Sequence, residues 1–358
     1  MRIASVGTAF PPYRYPQTVI TEALVGHIKD QPALSRVMER LHANCGVEYR
    51  NISYPLEQIG SVSTFGSSND LWIKGALELG QQAIQKALDR VGLTPSDISA
   101  IFFTSITGIA CPSIDARLAN LMGFPSHIKR TPIFGLGCVA GAAGIARAVD
   151  YVRAFPKQYA ILLSVELCSL TWQDNDYSMA HIVASGLFGD GAAAVVLAGE
   201  ETELASHPTS VHNPCPRIVD TLSTYYPNTE YVMGWNINQT GFNIVLSADV
   251  PELVRAHLPG TVNGFLASNG LELSNICSYL LHSGGPKVLE AMEGSLHLPE
   301  GALRASRNCL KERGNLSSAS VLTLLEDFLM NDPGSPGCYS MMGAMGPAWC
   351  SELLLLQW

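Results

Sequence analysis

Residues Ile133–Asp150 read I-F-G-L-G-C-V-A-G-A-A-G-I-A-R-A-V-D. A cysteine, Cys138, follows a Gly-x-Gly turn and opens a run made almost wholly of Ala, Gly, Val and Ile. A surface helix would carry a polar stripe. This run has almost none, so it predicts a helix buried on all sides, with small residues that admit close neighbours. A thiol in the first turn of such a helix meets unpaired backbone N–H groups and the positive end of the helix dipole, and both favour thiolate. On this stretch alone Cys138 is either a nucleophile or one of the buried structural cysteines common in protein interiors.

The whole chain supports a large core around that helix. Apolar residues make up 47% of its 358 positions and charged residues only 15%, which suits two fused units and further surface hidden in an oligomer. No apolar run approaches the length of a membrane span, and Leu353–Leu356 is only a short strand. The N-terminal M-R-I-A-S-V-G-T-A-F-P-P lacks the apolar core of a signal peptide, so a cytoplasmic protein is expected. Nine cysteines without CxxC spacing are expected to be reduced, and they form no metal-ligand grouping. A net charge of −9 argues against a nucleic-acid partner.

Around Cys138, strands and helices alternate. Ile3–Val6, Ile98–Thr104, Tyr159–Val165 and Gly191–Leu197 read as strands. Thr18–Cys45 is mostly helical, with Arg36 and Arg40 one turn apart. Ser61–Asn69 is turn-rich, a long helix follows from about Asp70 to Val91, and Ile114–Met122 is helical. The class is α/β.

A self-comparison sharpens this. L-T-P-S-D-I-S-A-I-F-F-T-S at Leu93–Ser105 matches L-E-L-S-N-I-C-S-Y-L-L-H-S at Leu271–Ser283, which sets His282 in the place of Thr104. Gly137-Cys138 and its helix match Gly314-Asn315 followed by L-S-S-A-S-V-L-T-L-L. The spacing agrees: 34 residues separate Thr104 from Cys138, and 33 separate His282 from Asn315. The chain therefore reads as a duplicated α/β unit. Residues 1–210 form the half that carries Cys138, and 211–358 the half that carries His282 and Asn315. A pseudo-twofold arrangement would bring the two buried helices together at the centre. Their N-termini would then place Cys138, Asn315 and His282 in one site.

These three residue types define a chemistry. An imidazole beside a thiolate keeps sulfur nucleophilic at neutral pH, so an acyl thioester can move onto Cys138. His282 and Asn315 supply N–H donors that can stabilise the enolate left when a malonyl thioester loses carbon dioxide. That enolate can attack the acyl-cysteine and form a carbon–carbon bond.

Over its full length the chain resembles the thiolase superfamily and, within it, the type III polyketide synthases, the chalcone-synthase-like enzymes. The resemblance rests on G-T-A-F-P-P (Gly7–Pro12), G-C-V-A-G (Gly137–Gly141), L-F-G-D-G-A-A-A (Leu187–Ala194), H-S-G-G-P (His282–Pro286) and G-N-L-S-S-A-S (Gly314–Ser320). It implies a thiolase-like, five-layered αβαβα subunit in a cytosolic homodimer, with acyl-CoA and malonyl-CoA as substrates and no metal or redox cofactor. By position it assigns Cys138, His282 and Asn315 the catalytic roles and Phe188 the gate between CoA tunnel and cavity. Thr171, Cys111, Ile244 and Ser317 match cavity-lining positions, and Arg36, Arg40 and Lys287 match or neighbour the CoA entrance.

The departures from the plant enzymes carry information. Ile244 replaces a second gatekeeper Phe, Cys111 replaces Met, and the C-terminal loop is G-A-M-G-P-A (Gly343–Ala348) in place of G-F-G-P-G. There, Ala stands where positive φ would favour Gly. I-A-C-P-S-I-D-A-R-L, E-L-C-S-L-T-W-Q and M-G-W-x-x-x-x-x-G-F resemble the bacterial alkylresorcinol and alkylpyrone branch, which implies a fatty-acyl starter and a resorcinol or pyrone product. The alternatives are a single-condensation ketoacyl synthase or acyltransferase of the same fold, and a non-catalytic thiolase-fold dimer partner.

Overall fold

In this computed structural model every residue is described except 29, 61, 63 and 207–214. The first half opens with strands β1 (Arg2–Ala9) and β2 (Tyr13–Pro16), then helices α1 (Gln17–His27) and α2 (Pro32–Ala43), strand β3 (Tyr49–Ile52) and helix α3 (Phe65–Asp89). It continues with β4 (Ile98–Thr104), α4 (Ile114–Met122), β5 (Lys129–Ile133), α5 (Ala140–Ala154), β6 (Tyr159–Leu167), α6 (Met179–Leu187), β7 (Asp190–Ala198) and the one-turn α7 (Glu203–Ser206). The second half holds β8 (Arg217–Tyr225), β9 (Met233–Asn238), β10 (Gly241–Leu246), α8 (Val250–Ser268), β11 (Ile276–Leu281), α9 (Pro286–Ser295), α10 (Arg304–Arg313), α11 (Ser318–Asn331), β12 (Tyr339–Gly346) and β13 (Cys350–Gln357). The boundary expected at 210/211 lies outside the described residues.

The duplication is visible in the strand pairing. β4 runs parallel to β6, which is antiparallel to β7, which is antiparallel to β1. β11, β12, β13 and β8 repeat that sequence of parallel, antiparallel and antiparallel contacts. Each unit enters its first strand through the same device. The Thr94 amide donates to Asp97 Oδ2 at 2.7 Å, and the Glu272 amide donates to Asn275 Oδ1 at 2.8 Å. Both are side-chain acceptors satisfying a helix-start donor, here at the head of a one-turn 3-10 segment. β5 extends the first half beyond β4, and no described strand takes that place beside β11.

The two halves join edge to edge, where β1 meets β8 through the Arg2–Arg217 pair, and each sends alternate side chains to different cores. On β7, Ala192, Ala194, Val196 and Ala198 pack with α3, whereas Ala193, Val195 and Leu197 pack with α5 and α11. On β13, Leu354 and Leu356 join that same central core, while Leu353 and Leu355 pack with α8 and α9. The order α3, sheet, α5 with α11, sheet, α8 with α9 is the five-layered thiolase-like αβαβα fold. At its centre the small residues do what their size allows. A Cβ placed on Gly141 of α5 would stand 2.1 Å from the Ser318 carbonyl oxygen of α11.

Several boundaries differ from the sequence reading, the long helix by the most informative amount. The long helix starts at Phe65, five residues before Asp70, because Thr64 Oγ1 accepts the Ser67 amide at 3.1 Å and caps it.

Candidate active site

Both buried helices deliver their first residues to one place. Gly137–Val139 forms a 3-10 turn that runs straight into α5, and Gly137 holds φ at +55°, where a Cβ would strike Pro347 at 2.6 Å. Cys138 therefore sits at the head of α5, beside the turn at Pro347 that follows β12, where the expected loop Gly343–Ala348 is strand as far as Gly346. At the head of α11, Ser317 adopts φ 49° and ψ −124°, with its amide donating to Asn315 Oδ1 at 2.8 Å. This bend sets Ser317 Oγ 3.4 Å from Cys138 Sγ. His282 follows β11 directly, and its amide donates to the Gly343 carbonyl at 2.9 Å.

Cys138, His282, Asn315 and Ser317 all line one cavity of about 170 Å³. Phe188, Thr171 and Ile244 line it too. Asn315 Oδ1 also accepts from Ser320 Oγ at 3.3 Å, so the oxygen end of the amide is held and Nδ2 keeps only a 3.3 Å contact to the Gly284 carbonyl. Of the His282 imidazole, Nδ1 has no hydrogen-bond partner among the described residues. Phe188 and Asn315 form an isolated parallel bridge. The Gly189 amide donates to the Asn315 carbonyl at 3.0 Å and the Asn315 amide donates to that of Leu187 at 2.8 Å. Phe188 and Asn315 are thus one rigid unit.

The sulfur faces the cavity and is otherwise enclosed. Burial pushes the Cys138 thiol up to about 12, opposed by its contact with Ser317 and reinforced by the nearby Glu166. Burial takes the His282 imidazole down to about 4. Burial therefore opposes both the thiolate and the imidazolium, which the head of α5 and their own ion pairing favour. A helix N-terminus supplies at most about 2 kcal/mol, roughly one and a half pKa units. That is too little to cancel the rise from 9.0 to about 12.

Cys111 departs from the expected lining. It lies in the loop between β4 and α4, exposed, and is not part of the cavity wall within this single chain. Arg36, Arg40 and Lys287 are exposed and make no ion pair among the described residues. Arg36 and Arg40 lie on α2, which packs on α6, and Lys287 precedes the cavity-lining Val288.

Two buried charges were not singled out from sequence. Glu166 ends β6 beneath Cys138 and accepts from Ile106 N at 3.1 Å, Thr107 Oγ1 at 2.9 Å, Ser105 Oγ at 3.3 Å and Ser318 Oγ. Burial raises it to about 7 despite those bonds. A lone Glu in the apolar strand Y-A-I-L-L-S-V-E-L was the available signal. Arg50 of β3 donates through Nε to Gln17 Oε1 at 2.9 Å and through Nη1 to the Phe188 carbonyl at 2.6 Å. Burial lowers it to about 10, so it remains a cation at neutral pH. Nothing in its local sequence marks it.

Among the described residues no helix is long and apolar enough to cross a membrane, and no cluster of three His, Cys, Asp or Glu could hold a metal ion.

A cysteine, an imidazole and an amide converging from two halves of a duplicated thiolase-like fold define the class of condensing enzymes. Residues 2–201 match the chalcone and stilbene synthase N-terminal domain, and residues 217–337 match the C-terminal domain. The chain belongs to that family and is a type III polyketide synthase, a decarboxylative condensing acyltransferase. It is 45% identical to the 1,3,6,8-tetrahydroxynaphthalene synthase of Streptomyces peucetius subsp. caesius, over 99% of this chain and 93% of that one. It is 32% identical to the 3,5-dihydroxyphenylacetyl-CoA synthase of Streptomyces toyocaensis, over 100% and 90%. The crystal structure of the Streptomyces coelicolor A3(2) tetrahydroxynaphthalene synthase, a bacterial type III polyketide synthase, superposes with a TM-score of 0.92 at 30% identity, covering 100% of this chain and 99% of that one.

Proposed function

We propose that Cys138 carries the growing acyl chain and that His282 and Asn315 drive decarboxylation of malonyl-CoA. The Cys138 thiol attacks the starter thioester as its proton passes to His282, and the departing CoA thiolate takes that proton. His282 and Asn315 then donate to the malonyl thioester oxygen, carbon dioxide leaves, and the enolate attacks the acyl-cysteine. The carbon–carbon bond forms as the C–S bond to Cys138 breaks, and Cys138 accepts the lengthened chain for the next round. The buried site suits this cycle, because the proton and charge pass between sulfur and ring within one dry cavity. The convergence of Cys138, His282, Asn315 and Ser317 on one cavity carries this reading.

Phe188 guards the passage, while Thr171, Ile244 and Ser317 shape the cavity. The exposed cations Arg36, Arg40 and Lys287 offer the charge that CoA phosphates need. The enzyme works as a cytoplasmic homodimer, with no metal or redox cofactor.

For the product, the relatives weigh against the alkyl starter implied by the motifs. A tetrahydroxynaphthalene carries no alkyl chain, so a relative named for it points to malonyl units as both starter and extender. A fused, polyhydroxylated aromatic is therefore the favoured product. A fatty-acyl starter leading to an alkylresorcinol or pyrone is the second reading, favoured by the apolar wall of Ile20, Leu24, Ile52, Leu56 and Ile59.

Product analysis by mass spectrometry tests this, with malonyl-CoA alone and then with a long-chain acyl-CoA. The expected result is a polyhydroxylated aromatic from malonyl-CoA alone. Alkylated products only would select the second reading. Products of a single condensation would overturn the iterative reading, and failure of acyl-CoA to label Cys138 in folded protein would leave a non-catalytic partner.

A further inference from the structure

The cavity extends well beyond the residues placed in the reaction so far, along α6. His181, Ala184, Ser185 and Phe188 all line it, at spacings of three, four and seven residues. That is one face of a helix. Seven residues of helix rise about 10 Å, so His181 stands two turns from the gate, far enough to meet a chain several two-carbon units long.

His181 is unusual in its surroundings. Its residue is only 5% exposed, and Nε2 is buried with no hydrogen-bond partner among the described residues. Such groups are rare in native proteins, because burial removes the water that would otherwise satisfy them. The ring packs on Trp172 with centroids 4.5 Å apart, and the Trp172 indole N–H is already given to Asp174 Oδ1 at 2.8 Å. Trp172 can therefore offer only a face, leaving the imidazole as the polar group at this end of the wall. Neighbouring polar groups on α6 and α2 are engaged elsewhere. Ser185 Oγ donates to the Ile182 carbonyl at 2.9 Å, and His42 Nε2 lies 3.1 Å from that same carbonyl.

We propose that His181 is a specificity-determining residue of the polyketide chain, its imidazole hydrogen-bonding a carbonyl or enol oxygen of the extended intermediate and presenting it for ring closure beside the flat Trp172. A poly-β-ketone carries an oxygen on alternate carbons, as carbonyl acceptor or enol donor. A neutral imidazole matches it in either tautomer, with one N–H and one lone pair. Burial disfavours the cationic ring, while Asp174 and Asp176 act the other way. This inference rests on the iterative extension proposed above.

The test compares wild type with His181→Phe, which keeps a flat ring against Trp172 but removes both nitrogens, and with His181→Gln, which restores a donor and an acceptor. Carbon dioxide release from malonyl-CoA reports decarboxylation, and mass spectrometry reports the ratio of full-length cyclised product to shorter or uncyclised products. In His181→Phe the ratio is expected to fall at least tenfold while carbon dioxide release falls less than threefold, with partial recovery in His181→Gln. A ratio within twofold of wild type, or a parallel fall in both readouts, overturns the role of His181. If Phe does not fold, the same ratio is read on His181→Leu, which also lacks both nitrogens, and a value within twofold of wild type there overturns it. A wild-type enzyme that makes no polyketide refutes the proposed function instead.

Discussion

Gly141→Ala tests whether the close approach of α5 and α11 sets the catalytic geometry. The added Cβ would lie 2.1 Å from the Ser318 carbonyl oxygen, 3.0 Å from Val321 Cγ1 and 3.3 Å from Leu322 Cγ. The first contact is with backbone and cannot rotate away, so the two helices must separate by about 1 Å. Overpacking of this kind costs about 1–3 kcal/mol. Cys138 lies three residues before Gly141, and Ser317 lies immediately before Ser318. The same displacement therefore opens the 3.4 Å contact between Cys138 Sγ and Ser317 Oγ. A misplacement of about 1 Å at reacting groups costs about 100-fold in rate. The control is Gly144→Ala, one turn along the same helix, where the new Cβ meets only the Leu162 side chain at 2.5 Å. Both variants should lose stability in urea titrations, but only Gly141→Ala should lose about two orders of magnitude in kcat for malonyl-CoA turnover. Wild-type kcat in Gly141→Ala, or an equal loss in both variants, would refute the argument.

Other expectations follow from single contacts. Asn315→Ala should cut carbon dioxide release by about 100- to 1000-fold, the usual cost of an oxyanion donor, while Cys138 still takes up an acyl label. Arg50→Met strips the donors from two buried acceptors, the Phe188 carbonyl and Gln17 Oε1, and should destabilise the fold by about 3 kcal/mol in urea denaturation. A loss under 1 kcal/mol would show that those acceptors find other donors. His42 is buried neutral, with a pKa lowered from 6.5 to about 4 chiefly by desolvation. Its stabilising contribution is therefore full above pH 6.5 and is lost as pH falls through 4. The span is worth about 3 kcal/mol, so His42→Gln should flatten the drop in unfolding free energy between pH 7 and pH 4 by that amount. Ala348 holds φ at 55°. Ala348→Gly relieves a left-handed penalty of about 1–2 kcal/mol against an unfolded-state cost of about 0.4–1 kcal/mol, so the urea midpoint should rise slightly, and a fall would show that the Ala methyl packs usefully.

Much of this arrangement was legible in the chain itself. Ile98–Thr104 and Ile114–Met122 occupy the expected elements because their apolar patterns are local. The repeat of a polar turn, a strand and a small-residue helix was enough to bring residues 138, 282 and 315 together. What stayed hidden depends on partners distant in sequence. Arg50 acquires meaning from Phe188, and Glu166 from Ser318, through bonds spanning 138 and 152 residues. The burial that opposes a Cys138 thiolate was not legible either, because a helix start can be recognised in sequence whereas the depth of burial around it cannot. His181 was not singled out at all, because the turning of its helix face into the cavity is fixed by packing rather than by local sequence.

The β9–β10 ribbon forms its own two-stranded sheet, apart from the nine-stranded one. It nevertheless supplies Met233, Gly234, Trp235, Ile244, Val245 and Leu246 to the cavity wall, with Trp235 directly opposite Ile244. One side of the reaction vessel can therefore be recast, in length or in side chains, without disturbing a single ladder bond of the scaffold. Phe188 has no such freedom, because its backbone is tied to Asn315. Lineages sharing this fold can be expected to diversify their products through the ribbon, a cassette whose exchange leaves the chemistry intact.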